Sequence, residues 1–279
     1  MTGFAHPELL AATGWLAERL DDPSIRIVDC DEFPAYQRLH IPGAVGLRVH
    51  HYLKDPNNPD HLMPPEMFAR AMSEHGIGDE HTVVAYDGFG GLYAARLWWA
   101  LDYYGHPQCK VLNGGFQKWF AEGRPVTRAQ AHVELARFTV HPGRDCLCLR
   151  EEMEAAIDRE GTVIWDVRSR EEHTGENPRQ NRYGGRIPGA VHTEWLDMTT
   201  RGEAPEMLAP EEIRRRLEAV GITPEKQVLT HCQAGIRAAH ATFVLRLMGF
   251  ERVKNYDASW GEWGNRDDTP KVLGPGGPK

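Results

Sequence analysis

The sequence predicts an α/β protein built from two similar halves. Three observations carry this reading. The chain repeats itself in order at a separation of about 140 residues. Within each half, short apolar runs alternate with helix-like stretches. The runs are short enough to be strands buried on both faces, as in parallel sheets.

The repeat is read from matching segments. Ile27-Val28-Asp29 resembles Ile164-Trp165-Asp166, and Ile41-Pro42-Gly43-Ala44-Val45 returns as Ile187-Pro188-Gly189-Ala190-Val191. Val83-Val84-Ala85-Tyr86-Asp87 aligns with Val228-Leu229-Thr230-His231-Cys232. Gly105-His106 aligns with Gly249-Phe250, and Gly115-Phe116-Gln117-Lys118-Trp119 with Ser259-Trp260-Gly261-Glu262-Trp263.

In the first half, Ile25 to Val28 is a β-branched run and Phe33 to Leu39 a short helix. Pro64 to His75 reads as a helix closed by Gly76. Thr82 to Tyr86 is a second strand, a glycine turn follows, and Tyr93 to Tyr104 is a helix ended by Gly105. Cys109 to Leu112 is a further strand. The second half gives Thr162 to Trp165, Pro210 to Val220 closed by Gly221, Gln227 to His231, Ala238 to Met248 closed by Gly249, and Arg252 to Tyr256. The expected division is residues 1–125, a linker at 126–148, and residues 149–279. Glu134 to Val140 alternates like an edge strand, and the Pro- and Gly-rich tail from Asn265 is expected to be extended and partly mobile.

With 279 residues, 41% hydrophobic and 26% charged, the chain can build a core in each half. Its net charge of −8 argues against general nucleic-acid binding. No apolar stretch is long enough to span a bilayer, and Met1 to Glu8 lacks a basic-then-apolar leader. Five cysteines suggest no disulfide framework, so a reducing cytoplasm is the expected location.

The chemistry concentrates at Cys232. A strand runs into Cys232-Gln233-Ala234-Gly235-Ile236-Arg237 and then a helix. A thiol there would face backbone N–H groups and the positive end of a helix dipole, both of which favour the thiolate. That expectation requires an open bowl around the sulfur. Gly235 permits the tight curvature, and Arg237 can hold an anion with a fork of donors.

These segments together resemble the tandem-domain rhodaneses, the thiosulfate and 3-mercaptopyruvate sulfurtransferases. The resemblance runs from about Trp15 to Trp263 and rests on both Ile-Pro-Gly-Ala segments, Tyr86-Asp87-Gly88, Leu112-Asn113-Gly114-Gly115-Phe116 and the Cys232 loop. It implies a five-stranded parallel sheet with helices on both faces in each half. It also implies an inactive first domain, consistent with Asp87 where the second half has Cys232. The implied reaction takes the sulfane sulfur of thiosulfate onto Cys232 as a persulfide and passes it to cyanide or a thiol, with no metal or organic cofactor. Gln233, Ala234, Gly235, Ile236 and Arg237 would bind the donor through the loop, with Arg186 a second clamp and Arg179 and Arg182 in reserve. Arg179 and Arg182 lie in an insertion, Gly175 to Gly185, that the first half lacks. Mercaptopyruvate-type relatives carry a serine two residues after the cysteine. Ala234 stands there, which favours thiosulfate and keeps mercaptopyruvate as the alternative.

Other residues take plainer readings. Cys30, Cys109 and Cys148 are packing residues, and Cys146-Leu147-Cys148 lacks the second pair a zinc site needs. His50, His51 and His61 read as solvated loop residues rather than metal ligands. Asp87-Gly88-Phe89-Gly90-Gly91 lacks the Lys-Ser/Thr of a phosphate loop and reads as a tight turn. Trp98, Trp99 and Trp119 are packing residues, while Trp260 and Trp263 either pack or wall the cleft. Asp29 and Asp166 orient nearby backbone, and His231 faces away from its neighbour Cys232. The competing functions are a cysteine phosphatase, whose loop has five residues between Cys and Arg where this one has four, and a non-enzymatic sulfur-relay module.

Overall fold

The computed structural model describes residues 3–275. The chain divides into two compact units. One comprises Glu8–Arg144 and Thr199–Met207. The other comprises the segment ending at Pro7, Asp145–Met198, and the chain from Leu208 onward.

In chain order the strands of the first unit are β1 (Leu10–Ala11), β2 (Ile25–Asp29), β3 (Val45–Gly46), β4 (Lys54–Asp55), β5 (Asn58–Leu62), β6 (Thr82–Tyr86) and β7 (Cys109–Leu112). Those of the second are β8 (Leu147–Cys148), β9 (Thr162–Asp166), β10 (Val191–His192), β11 (Gln227–His231) and β12 (Val253–Tyr256). The first unit's sheet runs β1-β7-β6-β2-β3 and the second's β8-β12-β11-β9-β10, all parallel. Helices surround each five-stranded sheet. The two orders are the same, so the repeat in sequence is a repeat in topology. A small antiparallel pair, β4 with β5, belongs to the first unit alone.

Register places the reactive positions. Asp29 pairs with Tyr86 and Asp166 with His231. Each central strand therefore ends level with its neighbour, and the next residue, Asp87 or Cys232, leaves the sheet at its carboxyl edge. This is where parallel α/β sheets place their ligands. The helices that follow, Leu92–Tyr103 and Ile236–Leu247, are buried along most of their length. Their all-round apolar composition matches that burial and fixes the loop in front of each.

Three expectations change. The Glu134–Val140 segment forms no strand. Its backbone bonds Asp79 and Ser73 of the first unit, and its alternation reflects Phe138 tucked against Phe68. Residues 126–144, expected within a linker, are tied along that unit, with Thr127 and His40 exchanging two backbone bonds. The tail through Pro275 is pinned rather than loose. Val272 pairs with Arg186, Gly274 N–H reaches the Thr174 carbonyl, and the Trp263 indole donates to Pro270 O. The last four residues of the expected mobile tail lie outside the described residues.

Candidate active site

Cys232 stands between β11 and a helix whose first turn begins at Ile236. Gly235 closes the turn with φ +75°. A Cβ there would lie 2.2 Å from Asp257 Oδ1 and 2.6 Å from the Asp257 carbonyl oxygen. Glycine is required on both counts. The Gly235 carbonyl accepts from Asn255 Nδ2 at 3.0 Å, which ties the loop to β12.

Ser259 organises the loop from the other side. Its Oγ accepts the N–H of Cys232 at 3.0 Å and of Gly235 at 3.2 Å, donates to the Tyr256 carbonyl at 2.6 Å, and lies 3.9 Å from Cys232 Sγ. Ser259 has φ +54°, the angle that Gly115 takes at the matching place in the first half. Holding a non-glycine residue there costs roughly 1–2 kcal/mol, which the hydroxyl's bonds offset. The Gly235 amide, expected in the ring about the sulfur, is thus committed to this hydroxyl. Trp260 N–H to the Cys232 carbonyl and Gly261 N–H to the Gln233 carbonyl complete the brace. The sulfur does not lie in the expected open bowl: Cys232 is buried, 1% exposed.

Two side chains of the loop are held by the segment from Ser169 to Asn181. Gln233 exchanges two amide bonds with Asn181, at 2.8 and 3.0 Å. Arg237 forks onto Glu172, with Nη1 to Oε2 at 2.7 Å and Nη2 to Oε1 at 2.9 Å. Glu172 is itself fixed by a capping box with Ser169. Burial raises the Glu172 carboxyl, but the bond and charge of Arg237, the Ser169 N–H and the Arg179 charge together outweigh it, and the net shift is downward. Burial works against the Arg237 charge as well, yet Glu172 and the Cys232 sulfur hold the guanidinium more firmly protonated than usual. Arg179 Nη1 lies 3.7 Å from Glu172 Oε1 with its side chain half exposed. Arg182 pairs with Asp267 at the surface.

Arg186 gives its Nη1 to the Gly274 carbonyl, and its backbone pairs with Val272, which ties it to the tail. Ala234 and Ile236 lie in the loop, and the Ala234 side chain is a methyl group.

The first half shows what such a loop does with an anion. Asp87 occupies the Cys232 place, and its carboxylate accepts four backbone N–H groups. Oδ1 takes Phe89 at 2.7 Å and Gly91 at 2.9 Å, and Oδ2 takes Tyr93 at 2.7 Å and Ala94 at 2.8 Å. This is an anion cradle filled by the protein's own side chain.

Comparison with known proteins decides the family. Residues 12–122 and 149–266 each match the Rhodanese-like domain. The chain belongs to the rhodanese family. The sulfur carrier protein TtuD of Thermus thermophilus is 36% identical over 98% of this chain and 99% of its own. The thiosulfate sulfurtransferase of Azotobacter vinelandii is 34% identical over 98% and 100%. Among solved structures, the anaerobic ergothioneine biosynthesis enzyme from Chlorobium limicola, with its natural substrate trimethyl histidine, superposes with a TM-score of 0.87. It is 26% identical, over 98% of this chain and 72% of that one. A cysteine-persulfide form of EanB with ergothioneine gives 0.89 at 25% identity, over 98% and 72%.

Behind the rhodanese loop lies a buried charged network. Arg168 binds Asp166 through Nε at 2.9 Å and Nη2 at 2.6 Å, and His173 Nδ1 lies 2.9 Å from the same carboxylate. His231 Nε2 is 3.8 Å from Asp166. Burial alone would raise the Asp166 carboxyl, but the Arg168 charge and the bonds from Arg168 and His173 hold it well below the usual range. Burial pulls His231 down to about 4, so it stays neutral and unsuited to deprotonate its neighbour at neutral pH. Asp166 also accepts the Arg168 N–H at 3.1 Å, the backbone role expected of it. Trp260 and Trp263 are fully buried packing residues.

Burial pushes the thiols of Cys30, Cys109 and Cys148 upward, toward inert packing groups. Among the described residues no cluster of three or more His, Cys, Asp or Glu could hold a metal ion. No helix of the described residues is long and apolar enough to cross a membrane.

In the first half, burial and the nearby Asp87 and Asp29 push the Asp31 carboxyl from 3.8 to about 7. A carboxyl raised in the folded state stabilises below its unfolded value, and that stability is lost as pH rises toward the folded value. An Asp31→Asn variant is therefore expected to melt higher than the native chain at a pH of about 8, with the gain vanishing near a pH of about 4. Calorimetry at the two pH values checks this; a gain that is equal at both would contradict it.

Proposed function

We propose that this rhodanese is a thiosulfate sulfurtransferase whose nucleophile is Cys232, with the second half catalytic and the first half inactive. The observation that supports it most is the exchange between halves: one cradle holds a carboxylate on four amides, and its twin presents a thiol. In the first step the Cys232 thiolate attacks the sulfane sulfur of thiosulfate. The S–S bond breaks, sulfite leaves with the electron pair, and a Cys232 persulfide remains. Cyanide or a thiolate then attacks the outer sulfur, forming thiocyanate or a new persulfide and returning the Cys232 thiolate. Every electron pair is accounted for, so the reaction calls for no cofactor.

Arg237 is the primary anion clamp in this reading. Arg186 is the second positive group, and Arg179, which shares Glu172 with Arg237, stands in reserve. Gln233 is set by Asn181, and the loop amides with the Ser259 hydroxyl stabilise the anionic sulfur. Free thiols at Cys30, Cys109, Cys148 and Cys232 favour a reducing compartment such as the cytoplasm. The Thermus relative is named a sulfur carrier protein, which supports passing the Cys232 sulfur on to an acceptor.

The test is a parallel assay of thiosulfate with cyanide, mercaptopyruvate with cyanide, and an aryl phosphate. Thiocyanate should form fastest from thiosulfate. Faster turnover of mercaptopyruvate would overturn the donor assignment, and efficient phosphate release without thiocyanate would overturn the reaction class.

Ser259 offers a second check. Ser259→Ala leaves two loop amides without their acceptor, each worth about 1–3 kcal/mol. It should slow thiosulfate turnover by about 10- to 100-fold. Ser259→Gly relieves the backbone strain without restoring the hydroxyl and should be as slow. Native turnover in the glycine variant would show that the hydroxyl does not organise the loop.

A further inference from the structure

The second half supplies its own guanidinium beside a buried carboxylate. Arg168 is forked onto Asp166, gives Nη2 to the Gly185 carbonyl at 2.7 Å, and lies over the Trp260 ring at 4.4 Å. The first half repeats this frame and inverts its charge. Asp29 holds the register position of Asp166, and Phe116 stands at the place of Trp260. Two residues beyond the strand end, where the second half has Arg168, the first half has Asp31.

Asp29 is satisfied: Tyr86 Oη donates to it at 2.7 Å and the Asp31 N–H at 3.0 Å. Asp31 is half satisfied. Its Oδ2 accepts the Gly88 N–H at 2.9 Å, but its Oδ1 meets no donor among the described residues, although the residue is only 8% exposed. Both carboxylates line a cavity of about 350 Å³, walled by Phe116 and Phe120 and bordered by the exposed side chains of Arg38 and Arg128. That volume is at the small end of small-molecule sites.

We propose that this cavity binds a small guanidino carboxylic acid. Its guanidinium would enter between Asp31 and the Phe116 ring, as Arg168 lies between Asp166 and Trp260. Its carboxylate would face Arg38 and Arg128. A buried carboxylate oxygen without a donor is costly, and a forked cation over an aromatic face is the group that relieves it. The raised Asp31 carboxyl, crowded by Asp87, Asp29 and Glu32, agrees with a place short of positive charge.

The experiment is isothermal titration of the full chain with γ-guanidinobutyrate in mildly alkaline buffer, with butyrate as the control. Saturable one-to-one binding of the guanidino acid and none of butyrate are expected. Asp31→Asn should lower affinity by at least about tenfold while keeping native thiosulfate turnover. Asp31→Arg supplies an internal guanidinium, so it should abolish binding and melt no lower than the native chain. Cys232→Ser should bind as the native chain does, which separates this site from the catalytic loop. Absence of binding, equal binding by either Asp31 variant, or equal binding of butyrate would overturn the proposal.

Discussion

A Cys232→Ser variant is expected to fold and to lose thiosulfate-to-cyanide transfer by about four or more orders of magnitude. A serine hydroxyl is scarcely ionised at neutral pH and forms no stable counterpart of a persulfide. The structural cost should be small, on the order of 1 kcal/mol, because the Cys232 backbone bonds to Ser259 and Trp260 do not involve the sulfur. Thermal melting together with thiocyanate release checks both halves of this expectation. Substantial transfer by a well-folded serine variant would remove Cys232 from the mechanism.

The second large effect belongs to Arg237→Ala, and it is double. Glu172 is buried, and Arg237 supplies its forked partner. Removing the arginine leaves a buried carboxylate largely uncompensated, a loss of about 3–5 kcal/mol. The same change should raise the thiosulfate KM by at least about tenfold. Adding Glu172→Gln to Arg237→Ala separates the two effects. The double variant should recover much of the stability and none of the donor affinity. If donor affinity returned with stability, Arg237 would be a structural residue only.

Much of the architecture could be read from the sequence because the repeat is carried by long enough patterns. Strands of four or five apolar residues and helices of ten to twelve leave periodic traces, and β2, β6, β7, β9, β11 and β12 fall within a residue or two of their expected places. The edge strands β1, β3, β8 and β10 are two residues each, too short to leave any period. The alternation in Glu134–Val140 misled because a segment lying along a surface buries some side chains without joining a sheet.

The loop of the proposed site was legible where it is contiguous: Cys232 to Arg237 is one turn between strand and helix, with Gly235 in the left-handed place. Glu172, Asn181 and Ser259 reach the loop from elsewhere in the chain, and no local pattern shows that contact. Ser259 aligns with Gly115 in a left-handed place, where its hydroxyl accepts two loop amides. The tail contact of Arg186 was not legible: its position before Ile187-Pro188 suggested a clamp, and sequence alone could not show that its Nη1 meets the Gly274 carbonyl.

The most direct measurement is mass spectrometry of the native chain after exposure to thiosulfate alone, followed by peptide mapping. The peptide bearing Cys232 should gain the mass of one sulfur atom, and cyanide should remove it. An unmodified Cys232 peptide in protein that still produces thiocyanate, or the added sulfur on another cysteine, would contradict the account.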